Sequence, residues 1–147
     1  MKKIYRYGFS IIEILIVLAI VGLLAAVAQP GYQLLRAQLN SRDMAITFVQ
    51  ILRRSQTLAI AGSGDSNWGV YIASSSLVLY KGSSYATRTS SFDEVYPTIA
   101  SFSVQGQQEL NFTKQTGLPN TSGTTTLTTI GAAPRVLYIN AKGTISY

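Results

Sequence analysis

The first 28 residues, MKKIYRYGFSIIEILIVLAIVGLLAAVA (1–28), decide the architecture of this chain. A short basic leader ends at Gly8, and an apolar run of about 20 residues follows, the length that crosses the hydrocarbon core of a bilayer. A secretory signal also opens with a basic segment and an apolar core, but a small-residue cleavage site follows that core. The run therefore predicts a single membrane-spanning helix. The basic residues before it predict that the bulk of the chain lies outside the cytoplasm.

One acid, Glu13, interrupts the apolar run. An acidic side chain near the bilayer centre costs roughly 2.5–3.5 kcal/mol on insertion scales, so Glu13 needs an explanation. It is either a polar residue tolerated near the membrane interface or one half of a charge pair. A desolvated charge pair is a good device for fixing register in an assembly of apolar helices.

Gly8, Phe9, Glu13 and Pro30 together resemble the class III signal of type IV prepilins and type II secretion pseudopilins. The resemblance implies that a prepilin peptidase cuts between Gly8 and Phe9 and that the new N-terminal phenylalanine is N-methylated. Glycine suits such a site because a peptidase must approach the backbone closely. The resemblance also implies that Glu13 and Pro30 serve assembly, with Glu13 pairing with the N-terminal amine of Phe9 in a neighbouring subunit.

Length and charge limit what the rest of the chain can be. The chain has 147 residues, which leaves about 119 after residue 28, enough for one small domain. The net charge is +6, but the leader contributes Lys2, Lys3 and Arg6, so its removal leaves nine basic and six acidic residues and a net charge of +3. The basic balance is therefore weak evidence for a nucleic-acid partner.

The chain contains no cysteine and no histidine. It therefore forms no disulfide, and it lacks both the commonest metal ligand and the commonest general base. No G-x-S-x-G nucleophile motif is present either. We expect no enzymatic activity, no metal and no cofactor.

Residues 9–61 are predicted to form one helix with two parts. Apart from Glu13, residues 9–28 are apolar all round, as a membrane or filament-core helix must be, and the residues from about 31 to 61 are amphipathic. Pro30 lacks an N–H, so a kink is expected near it. The predicted buried stripe of the second part comprises Leu35, Leu39, Ile46, Val49, Leu52 and Ala59.

Residues 62–147 change to a period of two and are rich in Ser, Thr and Gly. Two hairpins are expected, Trp68–Ala73 with Leu77–Lys81 and Val136–Asn140 with Thr144–Tyr147. An extended segment is expected at 95–104, where Pro97 suits a sheet edge or a bulge, and further strands at 109–113 and 124–130. The predicted fold class is α+β, with a small antiparallel sheet packed on the second half of the helix. The predicted leader is 1–8, and the predicted core helix is 9–29. The amphipathic half of the helix is predicted at 30–61 and the globular domain at 62–147.

Three stretches of this second part resemble the GspH/FimT-like minor pseudopilins and minor pilins. They are LRRSQTLAIA (52–61), ELNFTKQTGLP (109–119) and RVLYINAKGTI (135–145). The resemblance implies a structural subunit that initiates or caps a type IV pilus or a type II secretion pseudopilus. Its partners would be other pilin or pseudopilin subunits, the prepilin peptidase and an inner-membrane assembly platform. Its location would be the inner membrane and then a periplasmic or cell-surface filament.

Two alternatives remain from the sequence. Some FimT-like minor pilins bind DNA during uptake through basic residues near the C-terminus, where this chain offers Arg135 and Lys142. The simpler interpretation of both residues is solvated surface charge. A single-pass enzyme or sensor is the other alternative, and the missing catalytic residues argue against it.

Overall fold

The computed structural model describes residues 8–73, 75–99 and 102–147, without the side chains of 27–30. The basic leader residues Lys2, Lys3 and Arg6 lie outside this description. One long helix, α1 (Ile11–Ile60), comes first. The strands that follow in the described residues are β1 (Trp68–Ile72), β2 (Ser76–Lys81), β3 (Glu94–Pro97), β4 (Phe102–Gly106), β5 (Glu109–Phe112), β6 (Gly123–Thr129), β7 (Arg135–Ile139) and β8 (Ile145–Ser146). The α+β class predicted from the sequence is confirmed.

The helix α1 is continuous over 50 residues and ends one residue before the predicted Ala61. Gly62 follows with φ of 63°, a left-handed conformation that ends helices and favours glycine. The backbone is helical at Pro30, so the missing N–H does not end the helix there. A bend of the helix axis near Pro30 stays a prediction.

The chain divides into two compact units, Met1–Arg36 and Ala37–Tyr147. The second unit holds the last part of α1 and all the strands. Burial on α1 begins at Ser41, so the sheets cover about 20 residues, or roughly 30 Å, of the helix. Leu35 and Leu39 lie before this stretch and are 56% and 50% exposed, so their predicted place in the core is wrong.

The strands form two antiparallel sheets of four rather than one small sheet. The first sheet has the order β3-β2-β1-β5 and the second has the order β4-β6-β7-β8. Both predicted hairpins are confirmed as the pairs β1–β2 and β7–β8. The single extended segment predicted at 95–104 is wrong, because β3 and β4 belong to different sheets. Pro97 ends β3 at the sheet edge, where the missing N–H breaks no interior pairing.

The core lies between the second half of α1 and the inner faces of both sheets. The helix contributes Ala45, Phe48, Val49, Ile51, Leu52 and Ala59, the first sheet Trp68, Val70, Ile72, Leu77, Leu79, Leu110 and Phe112, and the second Leu127, Leu137, Ile139 and Ile145. The predicted residues Val49, Leu52 and Ala59 are confirmed as buried, and Ile46 is half-buried. Phe48 and Ile51 widen the buried face beyond the predicted stripe.

Gln56 joins the end of α1 to two turns of the strand region. Its side-chain Nε2 donates hydrogen bonds to the carbonyl oxygens of Gly117, at 3.0 Å, and Gly143, at 3.2 Å. Both glycines have positive φ, 63° and 80°. A Cβ on Gly117 would overlap Ile60, and one on Gly143 would overlap the Gln56 amide. The three sequence stretches that resemble minor pilins therefore meet at one amide group.

Replacing Gln56 tests this junction. Gln56→Ala leaves two carbonyl groups without their donor, and we expect the free energy of unfolding to fall by about 1–3 kcal/mol. Gln56→Glu should cost more, because a carboxylate would face two carbonyl oxygens. Urea unfolding followed by circular dichroism measures the change, with the exposed Gln50→Ala on the same helix as control. Equal midpoints for the Gln56 and Gln50 variants would contradict the assigned role.

Candidate processing and assembly site

The Gly8–Phe9 peptide bond lies just before the helix, in backbone that is not helical. The Phe9 side chain is 81% exposed. Apart from its chain neighbours, Gly8 has no described atom within 4 Å of where a Cβ would lie. The described part of the chain thus does not itself require glycine at this position. A requirement for glycine at position 8 would come from a partner that binds close to the backbone.

Ser10 caps the N-terminus of α1. Its Oγ accepts a hydrogen bond from the Glu13 N–H at 3.3 Å, and its carbonyl accepts from the N–H groups of Glu13 and Ile14 at 3.1 and 3.3 Å. Ser10 and Glu13 have the spacing of a capping box, in which the serine and the acid bind the free N–H groups of the first turn. This capping role is not among the sequence-based predictions, although a serine three residues before an acid and an apolar run is its usual signal.

The helix N-terminus gives the Glu13 side chain a role within its own chain. A carboxylate in the first turn is stabilised by the partial positive charge of the helix N-terminus. Phe9, Glu13, Ile14, Val17 and Leu18 line a shallow hollow of about 270 Å³ on this part of the helix. Glu13 is the one ionisable side chain among these five. Its carboxylate is exposed and is surrounded by apolar groups that a lipid or another helix would cover.

The surface around Glu13 is apolar on every side of the helix. The large apolar side chains between Ile11 and Leu24 are each at least half exposed. An 18-residue window of α1 is apolar enough to cross a membrane, and none of it is buried. A surface of this kind is consistent with membrane anchoring.

The two residues predicted for a possible DNA contact lie at opposite ends of β7. Arg135 begins the strand and pairs in register with Leu127, whereas Lys142 follows the strand in the turn before β8. A strand of five residues is about 17 Å long, so the structure does not bring the two cations together. The Lys142 N–H donates to Asn140 Oδ1 at 2.9 Å, as in an ordinary turn.

Three of the other basic side chains form ion pairs. The pairs are Arg54 with Glu94 at 2.7 Å, Arg88 with Asp93 at 2.8 Å and Lys114 with Asp65 at 2.7 Å. The hydrogen bond from Lys114 lowers the pKa of Asp65. Hydrogen bonds from Tyr96 and then from Arg54 lower the pKa of Glu94, against the opposing effect of burial. These cations are neutralised locally rather than gathered into a basic face.

Tyrosine rings can stack on nucleic-acid bases, but Tyr71, Tyr80 and Tyr138 each lie within a strand. Tyr80 is fully buried and donates a hydrogen bond to Glu109 Oε1 at 2.7 Å. Its burial, together with this hydrogen bond, raises the pKa of Tyr80. Tyr71 is half-buried and Tyr138 is 49% exposed on the outer face of the second sheet. In residues 8–73, 75–99 and 102–147 no cluster of acidic, His or Cys side chains could hold a metal ion.

Comparison with known proteins identifies the N-terminal segment. Residues 4–28 match the family model of the prokaryotic N-terminal methylation motif. No curated protein and no solved structure matches the chain. The matched residues include Gly8, Phe9, Glu13 and the apolar run up to Ala28. Residues 4–28 are therefore a prokaryotic N-terminal methylation motif of the type IV prepilin-like kind, and this motif indicates a type IV pilin-like or pseudopilin subunit.

Proposed function

We propose that the chain is a minor structural subunit of a type IV pilus or a type II secretion pseudopilus. A prepilin peptidase cuts it between Gly8 and Phe9, and Phe9 is then N-methylated. The subunit waits in the inner membrane with residues 62–147 outside the cytoplasm, and an assembly platform then moves it into the start or tip of a filament. The observation that carries the proposal is an all-round apolar helix segment that no described residue covers and that belongs to a methylation motif.

The apolar surface of the helix is the kind expected of a subunit that moves from a membrane into a filament core. Exposed apolar patches of this extent mark contact with a membrane or with other proteins. Lipid chains and the apolar faces of neighbouring helices cover such a surface equally well. Transfer from the membrane to a filament core therefore exchanges one apolar environment for another, and the hydrophobic cost of leaving the bilayer is small.

Glu13 supports assembly in register. Cleavage after Gly8 creates an amine at Phe9, and this amine carries a positive charge near neutral pH. In a bundle of apolar helices an unpaired carboxylate is strongly unfavourable, so the amine of a neighbouring subunit is the natural partner. The cap at Ser10 holds Glu13 in the first helical turn, close to the chain end where such an amine lies.

The contacts of Gln56 support a minor subunit that resembles the GspH/FimT-like minor pseudopilins and minor pilins. The three resembling stretches are far apart in the sequence, yet the hydrogen bonds of Gln56 bring them together. A shared structural junction gives these residues a common physical reason to occur in one chain.

We do not propose DNA binding, because Arg135 and Lys142 lie at opposite ends of β7.

The Gly8 prediction tests processing. Gly8→Leu should leave the uncleaved precursor in the inner membrane, because a side chain at this position would keep the peptidase from the backbone. Gly22→Leu is a matched control, since Gly22 also has open space around it but lies within the helix. Intact-mass measurement of the membrane-bound chain gives the result. A native protein that still carries Met1–Gly8 while the peptidase is present would overturn the proposal.

The Glu13 prediction separates charge from capping. Glu13→Gln keeps the Ser10 cap and removes the charge, whereas Ser10→Ala removes the cap and keeps the charge. Glu13→Ala also lowers the cost of placing the helix in lipid, by about 2 kcal/mol or more. We expect all of these variants to reach the membrane. Glu13→Gln and Glu13→Ala should then fail to enter filaments, and Ser10→Ala should still enter them.

The measurement is the ratio of subunit in sheared filaments to subunit in the membrane. Glu13→Lys should give the lowest ratio, because it places two cations together in an apolar core. Unchanged ratios in all three Glu13 variants would remove the charge-pair argument. A loss in Ser10→Ala equal to that in Glu13→Gln would assign the effect to the helix cap instead.

A further inference from the structure

A groove of about 430 Å³ lies between the end of β1 and one edge of β4. The described residues that line it are Tyr71, Ile72, Ala73, Phe102, Ser103, Val104 and Gln108. They come from both sheets of the second compact unit. None of these side chains carries a charge at neutral pH.

The β4 side of the groove is an open sheet edge. In the described residues β4 pairs with β6 alone and stands first in the order of its sheet. In an antiparallel pair, alternate residues direct their N–H and C=O groups away from the partner strand. About half of the backbone groups of β4 are therefore directed to its open edge. Such an edge is a template for another strand.

The opposite wall of the groove is held in place without a partner. The ring of Tyr71 stacks on that of Tyr85, with the ring centres 3.9 Å apart and the planes 10° from parallel. The Tyr85 N–H donates to Glu109 Oε1 at 2.7 Å, and the Arg88 guanidinium lies 3.8 Å from the centre of the Tyr85 ring. A wall ordered before binding spares a partner the entropic cost of ordering it.

We propose that this groove binds an extended, uncharged segment of another protein, which adds to β4 as a further strand of the second sheet. Backbone hydrogen bonds to β4 give the affinity, and the side chains around the groove select the segment. A charged segment is disfavoured because no described lining residue offers an opposite charge to a group that loses its water. Alternating threonine-like and valine-like residues suit such a site.

The size of the groove favours one strand over a folded partner. The five residues of β4 extend about 17 Å, room for a segment of about the same length. A stable interface between folded proteins takes about 20–30 residues from each side, whereas seven described residues line this groove. The occupant is thus a short segment, whatever larger assembly it belongs to. The proposal does not depend on the filament function.

The test uses the full-length protein in detergent micelles and a capped heptapeptide of alternating threonine and valine as the probe. We expect saturating peptide to slow hydrogen exchange of the amides of residues 102–106 by about tenfold or more, because strand addition protects edge groups. A control peptide with alternate backbone nitrogens methylated lacks the donors and should give no protection. Unchanged exchange with the first peptide, or equal protection by both, would overturn the proposal.

Two variants locate the site. Ser103 is exposed and lines the groove, so Ser103→Lys places a charge at the edge and should weaken peptide binding about tenfold or more. Thr124 is exposed on β6, a central strand of the same sheet, so Thr124→Lys is the matched control and should bind as the native chain does. Circular dichroism verifies that both variants are folded. Equal binding by the two variants would contradict strand addition at β4.

Discussion

The apolar surface of residues 11–24 is the constraint on which the rest of this structure depends. Its large side chains are at least half exposed, and no described part of the chain buries them. At about 25 cal/mol for each Å² of apolar surface, leaving such a helix in water is strongly unfavourable. The chain therefore needs a membrane or other helices around this segment, and its N-terminal chemistry follows from that need. The Ser10 Oγ binds the Glu13 N–H at the start of this segment.

The second half of α1 buries its apolar side chains within the chain itself. From Ser41 onwards its apolar side chains pack against two sheets, and the Gln56 amide joins its end to turns that follow β5 and β7. Arg54 adds a hydrogen bond to Glu94 on the edge strand of the first sheet. Glycine is favoured at 117 and 143 because both residues have positive φ, and a side chain there would also displace Ile60 or Gln56. A domain fixed to the helix in this way gains stability from its own core and leaves residues 11–24 available for contacts outside the chain.

Local patterns predicted much of this structure. The helix and both hairpins were predictable because their signals depend only on neighbouring residues. These signals are the length of the apolar run, the Gly- and Ser-rich residues that end the helix after Ala61, and the alternation around Tyr71 and Leu137. The division of 95–104 between two sheets was not, because sheet membership depends on partners distant in sequence. Leu35 and Leu39 share the spacing of the core residues, but periodicity identifies a face of a helix and not how far the sheets extend along it. The Ser10 cap was within reach of sequence analysis, since its spacing to Glu13 is a known pattern.

The most direct test of the central claim asks what covers the apolar helix before and after assembly. Leu18 is exposed in the middle of the run and can be replaced by a photoreactive benzophenone-bearing phenylalanine. Illumination of the membrane fraction should leave the chain at the mass of one subunit, because lipid surrounds the helix. Illumination of sheared filaments should join it to a second pilin-like subunit. Absence of the chain from filaments, or the mass of one subunit in both fractions, would contradict the account.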